Sequence, residues 1–178
     1  YGEGDIKVVK KNKNEKVDIK KYNCIKTEKQ LNDWVQELEK EAVISFDTET
    51  TSLNPLEAEL LGVSFSYASN KACYIPIKNK SSTTVNKKVI IEKIKKLLED
   101  PSIIKVGQNL KYDYLVMKKE GVEIESYDDT MLISYVLDAG LNRHSMDILS
   151  EIHLGHKTIT YKELVGSGKN KIDFVDID

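Results

Sequence analysis

Cysteine, arginine and long apolar runs are all scarce in this sequence of 178 residues. Its two cysteines, Cys24 and Cys73, lie far apart and outside any CxxC or CxxH pattern. A zinc site is therefore not indicated, and a reduced setting is expected. No apolar stretch approaches the roughly 20 residues of a membrane-spanning helix, and the N-terminus lacks the apolar segment of a signal peptide. We expect a cytoplasmic protein with no membrane partner.

A strong excess of positive charge is also missing. The 27 basic residues, of which Arg143 is the only arginine, are balanced by 29 acidic residues, and the net charge is −2. The total charge therefore gives no indication of nucleic-acid binding. A hydrophobic content of 40% is ordinary for a soluble globular domain, and the length suits a single hydrophobic core.

Both ends of the sequence look like parts of a longer protein. The sequence does not begin with methionine, and residues 1–21 are rich in lysine and poor in apolar residues. We interpret this segment as a lead-in or linker, with a short strand at residues 6–9 as one option. The last residues, KIDFVDID, stop without a tail or the end of a helix. We therefore expect one folded domain over residues 22–178.

Hydrophobic periodicity and turn residues predict an alternation of helices and strands. Helical spacing of apolar residues predicts helices over residues 26–40, 87–100, 109–121, 130–140 and 145–155. Short apolar runs predict strands over residues 42–49, 60–67, 72–77 and 102–108. Because short polar linkers join the first three strands, we expect an antiparallel meander. This order of elements indicates an α/β domain whose mixed sheet is covered by helices.

The stretch ISFDTETTSL, residues 44–53, places two acidic residues at the end of an apolar strand. Asp47 and Glu49 are two positions apart, so their side chains leave the strand on the same face, roughly 7 Å apart along the chain. Such carboxylates repel each other unless a cation lies between them, and their oxygens suit Mg²⁺ or Mn²⁺. The alternative is a strand that ends in a polar turn. The other acid-x-acid pairs of the sequence lie in polar surroundings typical of solvated surface, and only Asp47 and Glu49 follow an apolar run of the buried type.

The stretch VGQNLKYDYL, residues 106–115, carries a second set of polar residues. An apolar strand leads into Gly107, and Asn109 and Asp113 stand four residues apart on one face of the following helix. Helix capping alone would explain Asn109, and an exposed helical position would explain Asp113. The spacing by itself does not decide between these interpretations and a polar site.

Taken together and in this order, the two stretches resemble the 3′–5′ proofreading exonuclease domain of bacterial DNA polymerase I, the family A polymerases. That family has an Asp-x-Glu motif where FDTETTSL stands and an Asn-x-x-x-Asp motif where GQNLKYD stands. The resemblance continues through DDTMLISYVL and RHSMDILSEIHLGHKTITYKELVGSGKNKIDF, and it covers roughly residues 22–178. It implies a ribonuclease-H-like α/β fold, with a mixed five-stranded sheet flanked by helices.

The resemblance also implies a mechanism and a set of ligands. In the family, two divalent metal ions, Mg²⁺ or Mn²⁺, lie about 4 Å apart and clamp the scissile phosphate at the 3′ end of single-stranded or frayed DNA. Carried over to this sequence, Asp47 corresponds to the ligand shared by both ions, Glu49 to a ligand of the first ion, and Asp113 to a ligand of the second. These three residues are the predicted catalytic residues and metal ligands.

Further residues of the matching stretches are predicted to contact the substrate. Leu53 corresponds to a wedge between the last two bases, and Phe174 to an aromatic contact with the terminal bases. A loop anchor and core packing are the respective alternatives. Arg143 lies in a stretch beside the cleft of the family, where a phosphate contact and a packing role are both open. The remaining predicted contacts are Thr48, Thr50, Gln108, Asn109 and Tyr112.

One motif of the family does not occur in the sequence. The family carries a Tyr-x-x-x-Asp helix beyond the segment NKIDF, and this sequence ends at Asp178 before that helix. We therefore expect a domain that is incomplete at its C-terminus and, as a fragment, weak or inactive. Two alternative functions stay open: an RNA-processing 3′–5′ exonuclease of the same fold, and a non-catalytic scaffold beside a polymerase. We expect the intact protein to carry a polymerase domain in the same chain and to associate with the bacterial nucleoid.

Overall fold

Six strands form one mixed sheet in the computed structural model, which describes residues 17–78, 85–166 and 172. The strands are β1 (Asn23–Cys24), β2 (Val43–Thr50), β3 (Leu60–Ala68), β4 (Lys71–Pro76), β5 (Ile104–Gly107) and β6 (Tyr127–Asp129). Their order across the sheet is β1-β4-β3-β2-β5-β6. The neighbours β2–β3 and β3–β4 are antiparallel, which confirms the predicted meander, while β1–β4, β2–β5 and β5–β6 are parallel.

Six α-helices and one 3₁₀ turn accompany the sheet in the same described ranges. The helices are α1 (Glu28–Leu38), α2 (Lys87–Leu98), α3 (Lys111–Lys119), α4 (Thr130–Asp138), α5 (Met146–Leu154) and α6 (Tyr161–Val165), and the 3₁₀ turn spans Ile19–Lys21. Helix α1 begins at the predicted cap, where the Thr27 side chain accepts from the Gln30 N–H and the Gln30 side chain accepts from the Thr27 N–H. None of the helices in the described residues has the length and apolar character needed to cross a membrane.

The α/β fold class is confirmed, and each helix and strand predicted within the described residues is present with ends that agree to within two residues. The resemblance implied five strands, whereas the described part of the sheet has six. The sequence patterns did not indicate β1, β6 and α6, because elements of two, three and five residues are too short to show a period. The optional strand at residues 6–9 lies outside the described residues.

The hydrophobic core lies along β2, β3 and the helices α1 and α2. Along β2, Ile44, Phe46 and Thr48 are buried in alternation, and the Phe46 ring lies 5.2 Å from that of Phe65 on β3. The helices α1 and α2 add the buried apolar residues Leu31, Val35, Leu38, Ile90, Ile94, Leu97 and Leu98. Burial of whole Leu, Ile and Phe side chains stabilises the domain by about 1.5–3 kcal/mol for each. This core holds the end of β2 in place.

Candidate active site

The end of β2 carries Asp47 and Glu49 on the face of the strand opposite its buried apolar residues. Both side chains are half-buried. The pairing of β2 with β3 shifts its register between Glu49 and Thr50, and an irregularity of this kind bends a strand and re-aims its side chains. The structure therefore presents the two carboxylates side by side at the end of a rigid central strand, as the alternation of the sequence predicted.

Gly62 on β3 lies opposite Glu49, and only glycine fits there without movement of a neighbour. A Cβ atom at this position would lie 2.2 Å from the hydroxyl oxygen of Tyr74, because the Tyr74 side chain crosses the glycine backbone. Burial, together with the negative charge of Glu49, raises the pKa of Tyr74 to about 12. The Tyr74 hydroxyl is therefore protonated at neutral pH and lies within electrostatic range of the Glu49 carboxylate.

Asp113 lies in the first turn of α3 and is only 3% exposed. The backbone N–H and the side-chain hydroxyl of Thr48 both donate to its Oδ1 atom, at 3.0 and 2.5 Å. The structure therefore joins the second motif to the first through Thr48, and it excludes an exposed, solvated position for Asp113. Thr48 was predicted to contact substrate; its side chain is buried and its hydroxyl is engaged with Asp113, so the geometry favours a supporting role.

Burial and neighbouring negative charges raise the pKa values of all three carboxyl groups. Burial, then the charges of Asp113 and Glu49, raise the pKa of Asp47 to about 7. Burial and the charge of Asp113 raise the pKa of Glu49. Burial raises the pKa of Asp113 to about 6, although the hydrogen bonds from Thr48 oppose this increase. No described lysine, arginine or histidine forms an ion pair with any of the three, so their mutual repulsion is uncompensated within those residues.

The charge and donor chemistry of this set fit a hard divalent cation. Carboxylate oxygens are the ligands that Mg²⁺ and Mn²⁺ prefer, and a cation would relieve the repulsion that raises the pKa values of Asp47 and Glu49. Nevertheless, no three acidic, histidine or cysteine side chains of the described ranges are close enough together to form a ready-made metal-binding group. Asp113 directs Oδ1 at Thr48 instead. The predicted residues are thus electrostatically coupled but not assembled as three converging ligands.

The turn between β5 and α3 contains Gln108 and Asn109. Asn109 has φ +59°, in the left-handed region that asparagine tolerates better than most residues. The N-cap position of α3 is Leu110, so capping by Asn109 does not explain this residue. The Gln108 side chain donates to the His144 carbonyl at 2.7 Å and accepts from the Thr130 hydroxyl at 2.5 Å. The nitrogen and the oxygen of the Gln108 side-chain amide are therefore both hydrogen-bonded within the protein.

The loop after β2 carries Leu53, whose side chain is 97% exposed. The hydroxyl of Tyr112 donates to the Ser52 carbonyl and shares a hydrogen bond with the Thr50 hydroxyl. These bonds tie the beginning of the loop to α3. An exposed leucine beside a fixed backbone is available for contact with another molecule, and the alternative that Leu53 anchors the loop finds no support in this exposure.

Lys119 ties the far side of the same loop to α3. Its ammonium group donates to the carbonyl groups of Leu56 and Ala58, both at 2.8 Å, and to that of Pro55 at 3.3 Å. The loop is therefore held from both ends of one helix, the helix that also carries Asp113. This arrangement fixes the position of Leu53 relative to the carboxylates.

The remaining predicted contacts lie on the segment between α4 and α5 and beyond it. Arg143 is exposed, and the neighbouring His144 lies with its Nδ1 atom 2.9 Å from the Ser134 hydroxyl. Through its carbonyl, His144 also binds Gln108, so this segment is tied to the β5–α3 turn. The predicted aromatic contact, Phe174, lies outside the described residues.

Asp129, at the end of β6, belongs to the site although the sequence patterns assigned it no role. Its Oδ1 accepts from the N–H groups of Asn109 and Met131, at 3.0 and 2.9 Å, and its Oδ2 accepts from the Leu110 N–H at 2.9 Å. An aspartate directly before the helical pattern of α4 is a typical N-cap, and that signal could have identified its bond to Met131. The bonds to Asn109 and Leu110 cross 19 to 20 residues of sequence and have no local signal.

A family model described as 3′–5′ exonuclease matches residues 22–176 of this chain. Among curated proteins, the DNA polymerase I of Rhizobium leguminosarum is 43% identical over 183 residues, which cover 90% of this chain and 18% of the relative. The DNA polymerase I of Borreliella burgdorferi is 40% identical over 152 residues, which cover 84% of this chain and 16% of the relative. The chain therefore spans less than a fifth of the length of these relatives.

Solved structures with the same fold are more distant in sequence. Escherichia coli RNase D, an exoribonuclease involved in structured RNA processing, has a TM-score of 0.63 at 17% identity, over 79% of this chain and 35% of that one. Brucella melitensis NrnC with bound Mg²⁺ has a TM-score of 0.59 at 20% identity, over 83% of this chain and 67% of that one. At these identities the likeness establishes the ribonuclease-H-like exonuclease fold and nothing further about this chain.

Proposed function

Since the chain belongs to the family of 3′–5′ exonuclease domains of bacterial DNA polymerase I, we propose that it hydrolyses the 3′-terminal phosphodiester bond of single-stranded or frayed DNA. The observation that carries this proposal is the trio Asp47, Glu49 and Asp113. These carboxylates come from two distant parts of the sequence, have raised pKa values and have no cationic partner among the described residues. Such clusters are typical of functional sites rather than of stable cores.

The trio would hold two divalent cations, Mg²⁺ or Mn²⁺, with Asp47 as the shared ligand and Glu49 and Asp113 as ligands of one ion each. When bound, the ions would supply Lewis-acid polarisation of the phosphate and neutralise developing negative charge. Supporting this assignment, the donors are all hard oxygen atoms, and the repulsion among them is of the kind that a cation relieves. The recorded binding of Mg²⁺ by the Brucella protein with the same fold agrees with it.

The residues of the chain itself prepare the site in two ways. Thr48 holds Asp113 against the end of β2 through two hydrogen bonds, which restricts the motion of that carboxylate. Asp47, with its pKa raised to about 7, carries a proton on its carboxyl group for much of the time at neutral pH when no cation is near. Release of that proton would accompany cation binding, so cation affinity should increase with pH between about 6 and 8.

The terminal nucleotides would lie on the residues around the Leu53 loop and the β5–α3 turn. Leu53 would press on the last bases, helped by Phe174, while Thr50, Gln108, Asn109, Tyr112 and Arg143 would line the path of the strand. Apolar contact and stacking with bases are worth roughly 1–3 kcal/mol per base and do not depend on sequence. Indifference to sequence suits an enzyme that must accept any mispaired 3′ end.

Preference for frayed ends would follow from the cost of unpairing. A matched 3′ end must be unstacked and unpaired before its last nucleotide reaches the carboxylates, and this costs a few kcal/mol that a mismatched end does not require. Because Leu53 would contact the last bases, Leu53→Ala should slow the removal of nucleotides from single strands while leaving cation binding unchanged. Equal rates on frayed and matched ends would remove the proofreading role.

An RNA-processing exonuclease is the alternative that the structural neighbours suggest, because RNase D has the same fold. DNA is favoured over RNA as the substrate, because the relatives at 30–43% sequence identity are DNA polymerase I proteins, whereas RNase D is only 17% identical. A non-catalytic scaffold is disfavoured, because a scaffold has no need for three mutually repelling, half-buried or buried carboxylates.

The intact protein would combine this domain with a polymerase domain in the same chain. The relatives support this arrangement by their names and by their greater length. The exonuclease domain would begin near residue 22, where the family match begins, with residues 1–21 as a linker. We propose that the protein works in the bacterial cytoplasm, associated with the nucleoid.

The proposed activity can be tested with 5′-labelled oligonucleotides and the intact protein in Mg²⁺ or Mn²⁺. A single-stranded DNA should shorten stepwise from its 3′ end, faster than a matched duplex and faster than an RNA of the same sequence. Faster degradation of the RNA would favour the alternative function. No shortening of either strand by a folded, cation-loaded protein would leave the scaffold as the better account.

A further inference from the structure

Asp129 links two parts of the chain that are separated in sequence. One carboxylate accepts three backbone N–H groups: that of Met131 in its own helix, and those of Asn109 and Leu110 in the β5–α3 turn. The Met131 bond is an ordinary helix cap. The other two bonds attach the beginning of α4 to the beginning of α3, the helix that carries Asp113.

The β5–α3 turn needs an external partner for these N–H groups. The N-cap residue Leu110 has no side-chain hydrogen bond to the helix end, since leucine has no acceptor, and it is 1% exposed. Asn109 is in the left-handed conformation, which most residues avoid. Without a partner, the Leu110 N–H would be buried and unsatisfied, a state that folded proteins rarely tolerate. Asp129 therefore supplies the acceptors for two N–H groups of the turn that leads into α3.

A second bond supports the same turn beside Asp129. The Thr130 hydroxyl, one residue further on, lies 3.0 Å from the Gly107 carbonyl oxygen and 2.5 Å from the Gln108 side-chain oxygen, and these two acceptors of the turn share its single proton. Gly107 also packs tightly, because a Cβ atom there would lie 2.4 Å from Cδ1 of Leu110. The start of α3 is thus fixed both by hydrogen bonds to residues at the beginning of α4 and by close packing within the turn.

From this geometry we infer that Asp129 is a positioning residue, which fixes the start of α3 and so sets where the Asp113 carboxylate lies against Thr48. The inference rests on the proposed function only for its effect on catalysis. A carboxylate suits this position better than an amide, because the group must accept three N–H bonds with its two oxygens. In Asp129→Asn, one acceptor oxygen is replaced by an NH₂ group that faces an N–H donor.

The matched control is Asp128→Asn. Asp128 is the neighbouring residue of β6, carries the same charge and is exposed. Each variant removes one negative charge near the same strand end, so an effect of the net charge of the chain would appear in both, although only the charge of Asp129 acts on Asp113. Only Asp129→Asn removes acceptors for the Asn109 and Leu110 N–H groups. Asp129→Glu, which keeps two acceptor oxygens, should recover part of what Asp129→Asn loses.

The first measurement is peptide-level hydrogen exchange of the intact protein over residues 105–115, which does not require activity. Asp129→Asn should exchange at least about 10-fold faster in the turn and first turn of α3, whereas Asp128→Asn should match the unsubstituted protein. The second measurement is single-strand DNA cleavage. A displaced catalytic group should lower kcat by about 10- to 100-fold and leave KM within about 3-fold.

The two measurements separate the possible failures. Unchanged exchange in Asp129→Asn would overturn the inference whether or not the protein is a nuclease. Faster exchange with an unchanged kcat would also overturn it, since the turn would then not position Asp113 for the reaction. If the unsubstituted protein cleaves nothing, the proposed function fails, and exchange still decides whether Asp129 holds the turn.

Discussion

The sheet region, residues 23–129, and the helical region, residues 130–166, differ in how their apolar residues are covered. Helices α1 and α2 of the sheet region bury their apolar faces almost completely. In the helical region, α4 buries only Ser134 and α5 buries no residue within the described parts of the chain. Val136, Leu137 and Leu141 are 80%, 74% and 77% exposed. Burial therefore stabilises the first region, while the second lies on it with little burial of its own.

Hydrogen bonds, rather than buried apolar contacts, connect the helical region to the sheet region. The β5–α3 turn is hydrogen-bonded to Asp129, the last residue of the sheet region, and to Thr130 and His144 of the helical region. The predicted catalytic residues all lie in the sheet region, and Arg143 lies in the helical region. The carboxylates therefore have a rigid support, whereas the placement of the predicted phosphate contact depends on a few hydrogen bonds.

The largest expected effect is a core substitution in the sheet region. Phe46→Ala should lower the free energy of unfolding by about 3–5 kcal/mol, because it removes a buried ring that packs against Phe65. Leu137→Ala, at an exposed position of α4, should change it by less than about 0.5 kcal/mol. Urea denaturation of both variants measures the contrast. Similar losses in the two would show that the helical region is packed as tightly as the sheet.

An intermediate effect is expected where β3 passes under Tyr74. Gly62→Ala should cost about 1–3 kcal/mol, because the added methyl would overlap the Tyr74 side chain. The double variant Gly62→Ala/Tyr74→Leu should lose less than the sum of the single losses, since the second change relieves the overlap. Strict additivity in denaturation experiments would contradict this account of why glycine stands beside Glu49.

A smaller effect concerns the caps of one helix in each region. Thr27→Ala should lower the free energy of unfolding by about 1 kcal/mol, because its side chain accepts from the Gln30 N–H at the start of α1. Ser145, at the start of α5, makes no such bond, so Ser145→Ala should change stability by only a few tenths of a kcal/mol. An equal cost for both variants would mean that α5 is capped as firmly as α1.

The smallest change is expected in the pH dependence of stability, because water screens the half-buried Asp47. Its pKa is raised from 3.8 to about 7, so between these values the folded protein binds more protons than the unfolded chain. The contribution of Asp47 to the free energy of unfolding is therefore fully present below about pH 4 and is lost as the pH rises through about 7. In metal-free buffer, Asp47→Asn should melt above the unsubstituted protein at pH 8, and the gap should close toward pH 4. A gap that widens toward pH 4 would show the opposite sign of the shift.

Long elements could be predicted from the sequence and short ones could not. Every helix or strand with a clear hydrophobic period was placed to within two residues, because burial on one face governs both the period and the fold. The short strands β1 and β6 form through backbone pairing with β4 and β5, respectively. No local pattern encodes that kind of pairing.

The local part of the site could be predicted from the sequence, and the interactions between distant segments could not. Strand alternation placed Asp47 and Glu49 on one face, but spacing alone did not decide between a buried and an exposed Asp113. Its burial depends on Thr48, 65 residues away in the sequence. The bonds from Asn109 and Leu110 to Asp129 also join distant residues, and the sequence patterns missed them. Interactions that join distant segments are the part of the site that a single sequence conceals.

The central claim is that Asp47, Glu49 and Asp113 act together as the reacting centre. The most direct test is the single-turnover rate at which the intact protein removes the 3′-terminal nucleotide of a single-stranded DNA in saturating Mg²⁺. Asp47→Asn and Asp113→Asn should each lower this rate by at least about 100-fold, since each removes a charge that the cations require. The exposed control Asp128→Asn should remain within about 2-fold of the unsubstituted protein. Rates within about 2-fold for Asp47→Asn or Asp113→Asn would contradict the account.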